Sequence, residues 1–301
     1  MIDDFMSGVH CGASDSIARR RFPTVASGKA SRLFGYVLAF CTLPCVAFAE
    51  DIKWEQLASG VAVSVWNPGE LCPAVPSLLA IEIDPDLARF EIHHYAHEKL
   101  VQPPTIEEWE KRTGHDVIFN AGLFRENFAY LGLLYKDGRS LGSRRHTTWQ
   151  GVFVAEPLVS GVKKARVLDL AVEAFDEQHP PYQEAAQALM LLDRNRTIRV
   201  RQTGKRAYQT IIAETDKGPI LIFKSRGITS LYDIGRCLRD TLSVVRQAMA
   251  MDGGSSSDVL VSESLWQRDQ QKENRLFWKD LFGGNTSAHI PLPTVIGVSR
   301  R

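Results

Sequence analysis

Residues 252–257 bring together groups that a phosphate or a sugar would need: a carboxylate, two glycines and three serines in a row. The apolar residues 248–251 precede them, so the pattern predicts a buried strand that ends in a tight polar turn. Glycines let backbone amides approach an anion closely. The Asp252 carboxylate could act as a nucleophile, as a base for water or as an acceptor for sugar hydroxyls. Ordinary turns have the same composition, so this segment predicts a site only together with others.

Two further segments carry side chains suited to the same ligand. Residues 120–124 read Asn-Ala-Gly-Leu-Phe, and residues 205–209 read Lys-Arg-Ala-Tyr-Gln. Arg206 could bind a phosphate through two parallel hydrogen bonds, and the Asn120 amide could fix a hydroxyl or a phosphate oxygen. The alternative for both is structural, with Arg206 as a solvated surface cation and Asn120 as a turn residue after a strand.

These three segments in this order, together with residues 292–298 (Leu-Pro-Thr-Val-Ile-Gly-Val), resemble the phosphodiester glycosidase family. The resemblance implies a hydrolase that cleaves the glycosidic bond of a sugar-1-phosphodiester or of a related envelope or exopolysaccharide glycan, without a cofactor. It implies catalytic roles for Asn120, Arg206 and Asp252. It also implies substrate binding by Gly122, Gly253, Gly254 and Ser255.

The chemistry of such a bond explains this set of residues. A phosphate monoester is a good leaving group, so the site mainly needs a cation, hydrogen-bond donors for the phosphate oxygens and a carboxylate beside the oxocarbenium-like sugar. Glycosidases usually use two carboxylates. Position alone suggests Glu126, Glu214 and Asp216 as candidates for the second one.

Departures from the family pattern keep other functions open. Gln209 stands where the family usually has glycine, Met190 where it has proline, and Ser255 where a third glycine is frequent. The first two favour an alternative, a non-catalytic glycan-binding or envelope-assembly protein on the same fold. A third hypothesis is a phosphodiesterase that cuts the other P–O bond.

The first 49 residues are interpreted as an export signal. Arginines precede an apolar run at residues 33–48, and Ala47-Phe48-Ala49 fits a small-x-small cleavage site. The run is short for a membrane span, although an uncleaved anchor is the alternative. We therefore expect a periplasmic or secreted protein without a stable membrane span after signal cleavage.

Charge and cysteine content are consistent with an exported protein that acts on carbohydrate. The chain has 36 Lys and Arg against 35 Asp and Glu, without the basic excess that nucleic-acid binding usually requires. Cys72 and Cys237 remain beyond the signal. In an oxidising compartment they could form a long-range disulfide, or they could be two unpaired, partly buried thiols.

Residues 50–301 are predicted to form a single mixed α+β domain, a strand-rich sheet with interspersed helices. Strands are predicted at residues 78–83, 89–95, 117–119, 151–155, 198–201, 208–214 and 220–224, the last two joined as a hairpin. Helices are predicted from a capping box at Thr105 to Gly114, over residues 182–192, and after Ser230, where apolar residues recur at helical spacing as far as Met249.

Three histidines lie close together in the sequence, at His93, His94 and His97. On a strand, His93 and His97 would share a face while His94 would point away. Because a zinc site needs convergent ligands, no metal site is predicted.

Overall fold

Strand-length apolar segments along most of the chain produce a strand-rich fold, described here from a computed structural model. The structure describes residues 52–142, 144–266, 272–282 and 289–301, and the predicted export signal at residues 1–49 lies outside them. The described residues form one compact unit of two sheets and four helices. The predicted α+β mixed domain is confirmed.

The strands, numbered in chain order, are β1 (Glu55–Ala58), β2 (Val61–Trp66), β3 (Leu78–Ile83), β4 (Ala88–His94), β5 (Val117–Asn120), β6 (Leu134–Lys136), β7 (Arg139–Ser140), β8 (Gly151–Pro157), β9 (Ala165–Asp169), β10 (Tyr182–Leu192), β11 (Thr210–Thr215), β12 (Ile220–Ser225), β13 (Val245–Ala250), β14 (Val259–Val261) and β15 (Thr294–Arg300). The helices are α1 (Ile106–Thr113), α2 (Leu231–Thr241), α3 (Glu263–Trp266) and α4 (Lys272–Phe282).

Two antiparallel sheets face each other across the main core. The larger has the order β1-β2-β3-β12-β11-β13-β10, and β10 then pairs with both β6 and β8, which lead to β7 and β9. The smaller has the order β14-β5-β15-β4. Ile81 and Phe153 of the larger sheet share this core with Phe119 and Ile296 of the smaller one. Helices α2 and α1 pack against the larger and the smaller sheet respectively.

Capping residues fix the two helices as the sequence predicts. At the start of α1, Glu108 N donates to Thr105 Oγ1 at 3.3 Å and Thr105 N donates to Glu108 Oε2 at 2.8 Å. Gly114 ends this helix in the left-handed conformation, with φ of 66°, which glycine adopts without steric cost. Ser230 caps α2 by accepting a hydrogen bond from Asp233 N at 3.1 Å.

The predicted helix over residues 182–192 is wrong, because this segment is the strand β10. Its Ala, Leu, Gln and Met residues favour a helix, but nine of its eleven residues are buried and so lack the polar face of a surface helix. Strand β8 pairs with its residues 182–188 and strand β13 with its residues 189–192. Tertiary pairing therefore overrides local propensity.

Two other boundaries differ from the prediction. The apolar series after Ser230 continues at helical spacing to Met249, but α2 ends at Thr241 and β13 begins at Val245. Residues 198–201 do not form the predicted strand, and their pairing is reduced to one bridge between Leu192 and Ile198. The predicted hairpin is present as β11 and β12.

A disulfide joins Cys72 to Cys237, with the two Cα atoms 5.7 Å apart and 165 residues apart in the sequence. Of the two alternatives for these cysteines, pairing is confirmed. The bridge links the β2–β3 connection to α2. Among the helices in the described part of the chain, none has the length and apolar character needed to cross a bilayer.

Candidate active site

The turn after β13 lies where the ends of the two sheets meet. Met251 N donates to Thr210 O of the larger sheet at 2.9 Å. Asp252 N donates at 3.1 Å to Ala121 O, directly after β5 of the smaller sheet. The polar turn at residues 252–258 is therefore anchored to both sheets, and we call it the Asp252 turn.

The side chain of Asn120, the last residue of β5, is hydrogen-bonded to both ends of this turn. Its side chain is buried, and Nδ2 donates to Asp252 O at 2.8 Å and to Ala121 O at 3.1 Å. Its Oδ1 accepts from Asp258 N at 3.0 Å. Both amide hydrogens are thus used by backbone carbonyls, and the side chain joins the two ends of the Asp252 turn.

The Asp252 carboxyl is partly buried within its own turn. It accepts a hydrogen bond from Gly253 N at 3.0 Å and another from the Ser256 side chain. Burial nevertheless raises the pKa of Asp252 above its usual value, because loss of water around the charge outweighs these two hydrogen bonds. A carboxyl with a raised pKa in an anchored turn is suited to proton transfer.

A second carboxyl, Asp258, ends the same turn. Its Oδ1 accepts from Val259 N at 3.0 Å, and its Oδ2 is hydrogen-bonded to His289 Nδ1. Burial raises the pKa of Asp258, although the nearby His289 and the Lys224 ammonium act in the opposite direction. Two partly buried carboxyls therefore flank Asn120, and sequence reasoning identified only Asp252.

The earlier candidates for a second carboxylate lie elsewhere. Glu214 is fully buried, where it accepts from Lys163 Nζ at 2.7 Å and from Gln247 Nε2 at 2.9 Å. Asp216 is exposed in the β11–β12 hairpin, and Glu126 is exposed in the loop after β5. None of the three has a hydrogen bond to the Asp252 turn among those found in the described residues.

The glycines of the turn serve backbone packing. A Cβ at Gly253 would lie 2.9 Å from both Tyr208 O and Gln209 Oε1. Gly254 has φ of 70°, and its N donates to Tyr208 O at 2.8 Å. The backbone amides of Gly253 and Gly254, predicted to bind phosphate, are therefore already hydrogen-bonded within the protein. Ser255, the third residue of this prediction, is exposed.

Gly122 connects the site to the central strand β10. Gly122 N donates to Tyr130 Oη at 3.1 Å, and Tyr130 Oη donates to Gln187 O at 2.7 Å. A Cβ at Gly122 would lie 2.4 Å from Tyr130 Oη, so only glycine fits. Tyr130 is fully buried, and burial together with the charge of Asp252 holds its pKa far above the usual range.

Gln187 then positions the loop before β8. Its Oε1 accepts from Leu133 N and from His146 N, both at 2.9 Å, and its Nε2 donates to His146 O and Trp149 O. The ring of His146 stacks on Trp149 with centroids 3.9 Å apart. Gln187 is a residue whose role sequence reasoning missed, although it begins the segment compared with the family's proline-containing motif.

A cationic cavity of about 600 Å³ adjoins the turn through Gln209. The Gln209 side chain lies against Gly253, and Leu189 in the cavity wall pairs with Ala250, two residues before Asp252. The other lining residues are Thr148, Trp149, Arg199, Val200, Arg201, Thr203, Lys205, Ala207, Ser230, Leu231 and Tyr232. Three cations and two aromatic rings suit an anionic sugar derivative.

Arg206 occupies the same segment as the cavity residues Lys205 and Ala207 but is directed differently. Its Nη2 lies 3.2 Å from Ile228 O and 3.4 Å from Ala74 O, and the residue is exposed. The structure thus brings Asn120 and Asp252 into direct contact, and Arg206 contacts other backbone carbonyls.

Comparison with known proteins identifies the family and the fold of this chain. A family model described as phosphodiester glycosidase matches residues 113–299. No curated protein sequence matches the chain. A crystal structure of a hypothetical protein from Synechocystis is 14% identical with a TM-score of 0.55, and the match covers 84% of this chain and 64% of that one. This chain thus spans slightly less than two thirds of the length of that protein.

The catalytic domain of zebrafish N-acetylglucosamine-1-phosphodiester alpha-N-acetylglucosaminidase, auto-inhibited by its pro-peptide, is 15% identical with a TM-score of 0.52. The match covers 83% of this chain and 88% of that domain. At such identities, the two structures show a shared fold.

Proposed function

Because this chain belongs to the phosphodiester glycosidase family, whose model matches more than half of its length, we propose that it is a hydrolase that cleaves the glycosidic bond of a sugar-1-phosphodiester. The observation that carries the proposal is the Asp252 turn. There backbone hydrogen bonds anchor the turn to both sheets, burial raises the pKa of the Asp252 carboxyl, and Gln209 connects the turn to a cationic cavity.

In the proposed reaction, Asp252 acts at the anomeric carbon, as nucleophile or as base for the attacking water. Asn120 positions Asp252 through the carbonyl to which its amide donates. Asp258 is proposed as the second carboxylate, since it ends the same turn and burial also raises its pKa. Ser255, which is exposed at the turn, is proposed to donate to a phosphate oxygen.

Positive charge for the phosphate is proposed to come from the segment that contains Lys205 and Arg206. Lys205 lines the cavity together with Arg199 and Arg201. Arg199 is partly neutralised by Asp169, with Nη1 and Oδ2 2.8 Å apart. An ammonium or guanidinium stabilises the departing phosphate without a proton transfer, which this good leaving group hardly needs.

We propose that the substrate is an envelope or exopolysaccharide glycan outside the cytoplasm. The disulfide between Cys72 and Cys237 supports an oxidising compartment, in agreement with the export signal predicted at residues 1–49. We propose a periplasmic or secreted location on this basis.

The direct test is hydrolysis of N-acetylglucosamine-1-phosphodiesters and related glycosyl phosphodiesters in ¹⁸O-labelled water. We expect the label in the sugar, because attack occurs at carbon. We expect Asp252→Asn to lower kcat by about 100-fold or more. The control Asp216→Asn, at an exposed turn, should keep wild-type activity. Label in the phosphate would identify a phosphodiesterase that cuts the P–O bond.

The alternative function is a glycan-binding protein without turnover, and Gln209 motivates it. Its buried side chain occupies the space beside Gly253, where the family usually has glycine. Calorimetry with the same phosphodiesters separates the two functions. Binding without any product, in wild type and in Gln209→Gly alike, would replace the hydrolase proposal.

A further inference from the structure

A cluster of two histidines and a glutamate lies at the smaller sheet. Glu91 and His93 alternate along β4 and therefore point to the same face. His115 enters from the segment between α1 and β5. One ligand atom from each of these three residues lies within 4.8 Å of the others.

The two imidazoles face each other through their Nε2 atoms, and Nε2 is one of the two ring nitrogens that can bind a metal. His93 Nε2 and His115 Nε2 are 2.7 Å apart, and Glu91 Oε2 lies 3.9 Å from His93 Nε2. The three residues border a cavity of about 440 Å³, which Glu98, Trp109, Arg112, Thr113 and Ser299 also line.

The other nitrogen of each ring already has an orienting partner. His93 Nδ1 lies 2.9 Å from Glu98 Oε1. An ionised carboxylate only accepts, so Nδ1 carries the proton and the lone pair of a neutral His93 lies on Nε2. His115 Nδ1 lies 2.6 Å from Ser299 Oγ, a hydroxyl that can donate or accept and so serves either tautomer. A carboxylate behind a histidine is the usual outer support of a metal ligand.

The backbone makes room for this arrangement. Gly297 of β15 pairs with Glu91 in the neighbouring strand, and a Cβ at Gly297 would lie 2.0 Å from His115 Cδ2. The His115 ring therefore lies in the space that glycine leaves open, directly beside Glu91. Burial lowers the pKa of His93 and lowers that of His115 to about 4.

We propose that Glu91, His93 and His115 bind a divalent transition metal ion of the Zn²⁺ type. Two imidazoles and one carboxylate are a ligand set that zinc accepts, with at least one further coordination position open to the cavity. At zinc–nitrogen bonds of about 2.0–2.1 Å and tetrahedral angles, the two nitrogens would be about 3.3 Å apart. Binding thus requires the rings to separate by less than 1 Å and His115 to donate from Nδ1 to Ser299.

The full-length, untagged protein is tested with ZnCl₂ by isothermal titration calorimetry and with CoCl₂ by visible absorption. We expect one equivalent of Zn²⁺, and d–d absorption bands of Co²⁺ with nitrogen ligands. His93→Gln and His115→Gln should each weaken binding at least tenfold. The matched control is His97→Gln, at an exposed histidine close by in the sequence, which should bind as the wild type does.

A second variant tests the geometry without removing a ligand. Gly297→Ala should displace the His115 ring and weaken Zn²⁺ binding, in protein whose circular dichroism and melting temperature show that it is folded. Absence of stoichiometric binding in the wild type, or unchanged affinity in both histidine variants, overturns the proposal. The contact between the two rings is then a simple hydrogen bond.

Discussion

Asp252 is a carboxyl whose ionisation carries a cost for the folded state. Because burial raises its pKa in the fold, the native protein binds this proton more tightly than the unfolded chain does. By linkage, its contribution to stability falls as the pH rises from the unfolded to the folded pKa, and the full cost remains above the folded value. A functional role offers a reason to retain a group that costs stability.

We therefore predict opposite effects of Asp252→Asn on activity and stability. The amide removes the buried charge but can still accept from Gly253 N, so the melting temperature at pH 7 should be unchanged or higher while turnover is lost. In the wild type, kcat/KM should fall as the pH decreases through the raised pKa of Asp252. Differential scanning fluorimetry and a pH–rate profile measure both. A clear drop in melting temperature would mean that the carboxylate mainly stabilises the turn.

Lys205 and Arg206 are neighbouring cations with different surroundings. Lys205 lines the cavity, whereas Arg206 contacts the carbonyls of Ala74 and Ile228. We predict that Lys205→Met raises KM for a glycosyl phosphodiester by up to about tenfold, because an exposed charge contributes modestly to binding. Arg206→Met should have a smaller effect, and steady-state kinetics of the two variants provide the comparison. If Arg206→Met raises KM more, the cation is the one that the sequence motif indicated.

Among the elements, the connection from β5 to β10 determines the shape of the site. Only glycine fits at position 122, because a Cβ there would lie 2.4 Å from Tyr130 Oη and 2.7 Å from Gln187 O. Gln187 O belongs to the central strand and cannot move away without breaking its pairing. The neighbouring Ala121 O accepts from Asp252 N, so a shift at Gly122 would reach the carboxyl.

Gly122→Ala is accordingly predicted to destabilise the protein by about 1–3 kcal/mol, the usual cost of overpacking, and to lower kcat. Chemical denaturation and initial rates measure the two effects. Gly227→Ala is the control, since its Cβ would meet only Pro76 at ordinary contact distances of 3.4 and 3.5 Å. Equal stability of the two variants would contradict the packing argument.

The sequence predicts those elements that local signals define. Thr105 with Glu108 and Gly114 mark both ends of α1, and the hairpin residues 215–219 mark the β11–β12 turn. The strand β10 has no such signal. Its composition favours a helix, and pairing with β6, β8 and β13, all outside the segment itself, makes it a strand.

The candidate site follows the same division. Asp252, Asn120 and the glycines belong to short motifs, so their types and order suffice to identify them. Asp258, Tyr130 and Gln187 act through contacts across 57 to 138 residues of sequence, and no local pattern indicates them. The proposed metal-binding cluster shows the same limit, because His93 and His115 meet across β15, which pairs with both β4 and β5.

At the scale of the whole molecule, the disulfide joins two described parts of the chain that are far apart in the sequence. Cys72 lies between β2 and β3 at one side of the larger sheet, and Cys237 lies in α2, which packs against that sheet. Closing a loop of 165 residues removes conformational entropy from the unfolded chain, which is worth up to about 5 kcal/mol in the chain-entropy model.

We therefore predict that Cys72→Ser with Cys237→Ser lowers the free energy of unfolding by about 2–5 kcal/mol. The catalytic rate at low temperature should be preserved, because the bridge does not contact the Asp252 turn in the described residues. Urea denaturation of oxidised, reduced and doubly substituted protein measures the effect, and reduced wild type should match the double variant. If reduction leaves the unfolding midpoint unchanged, the bridge does not form in solution, and the support it gives to an oxidising compartment is withdrawn.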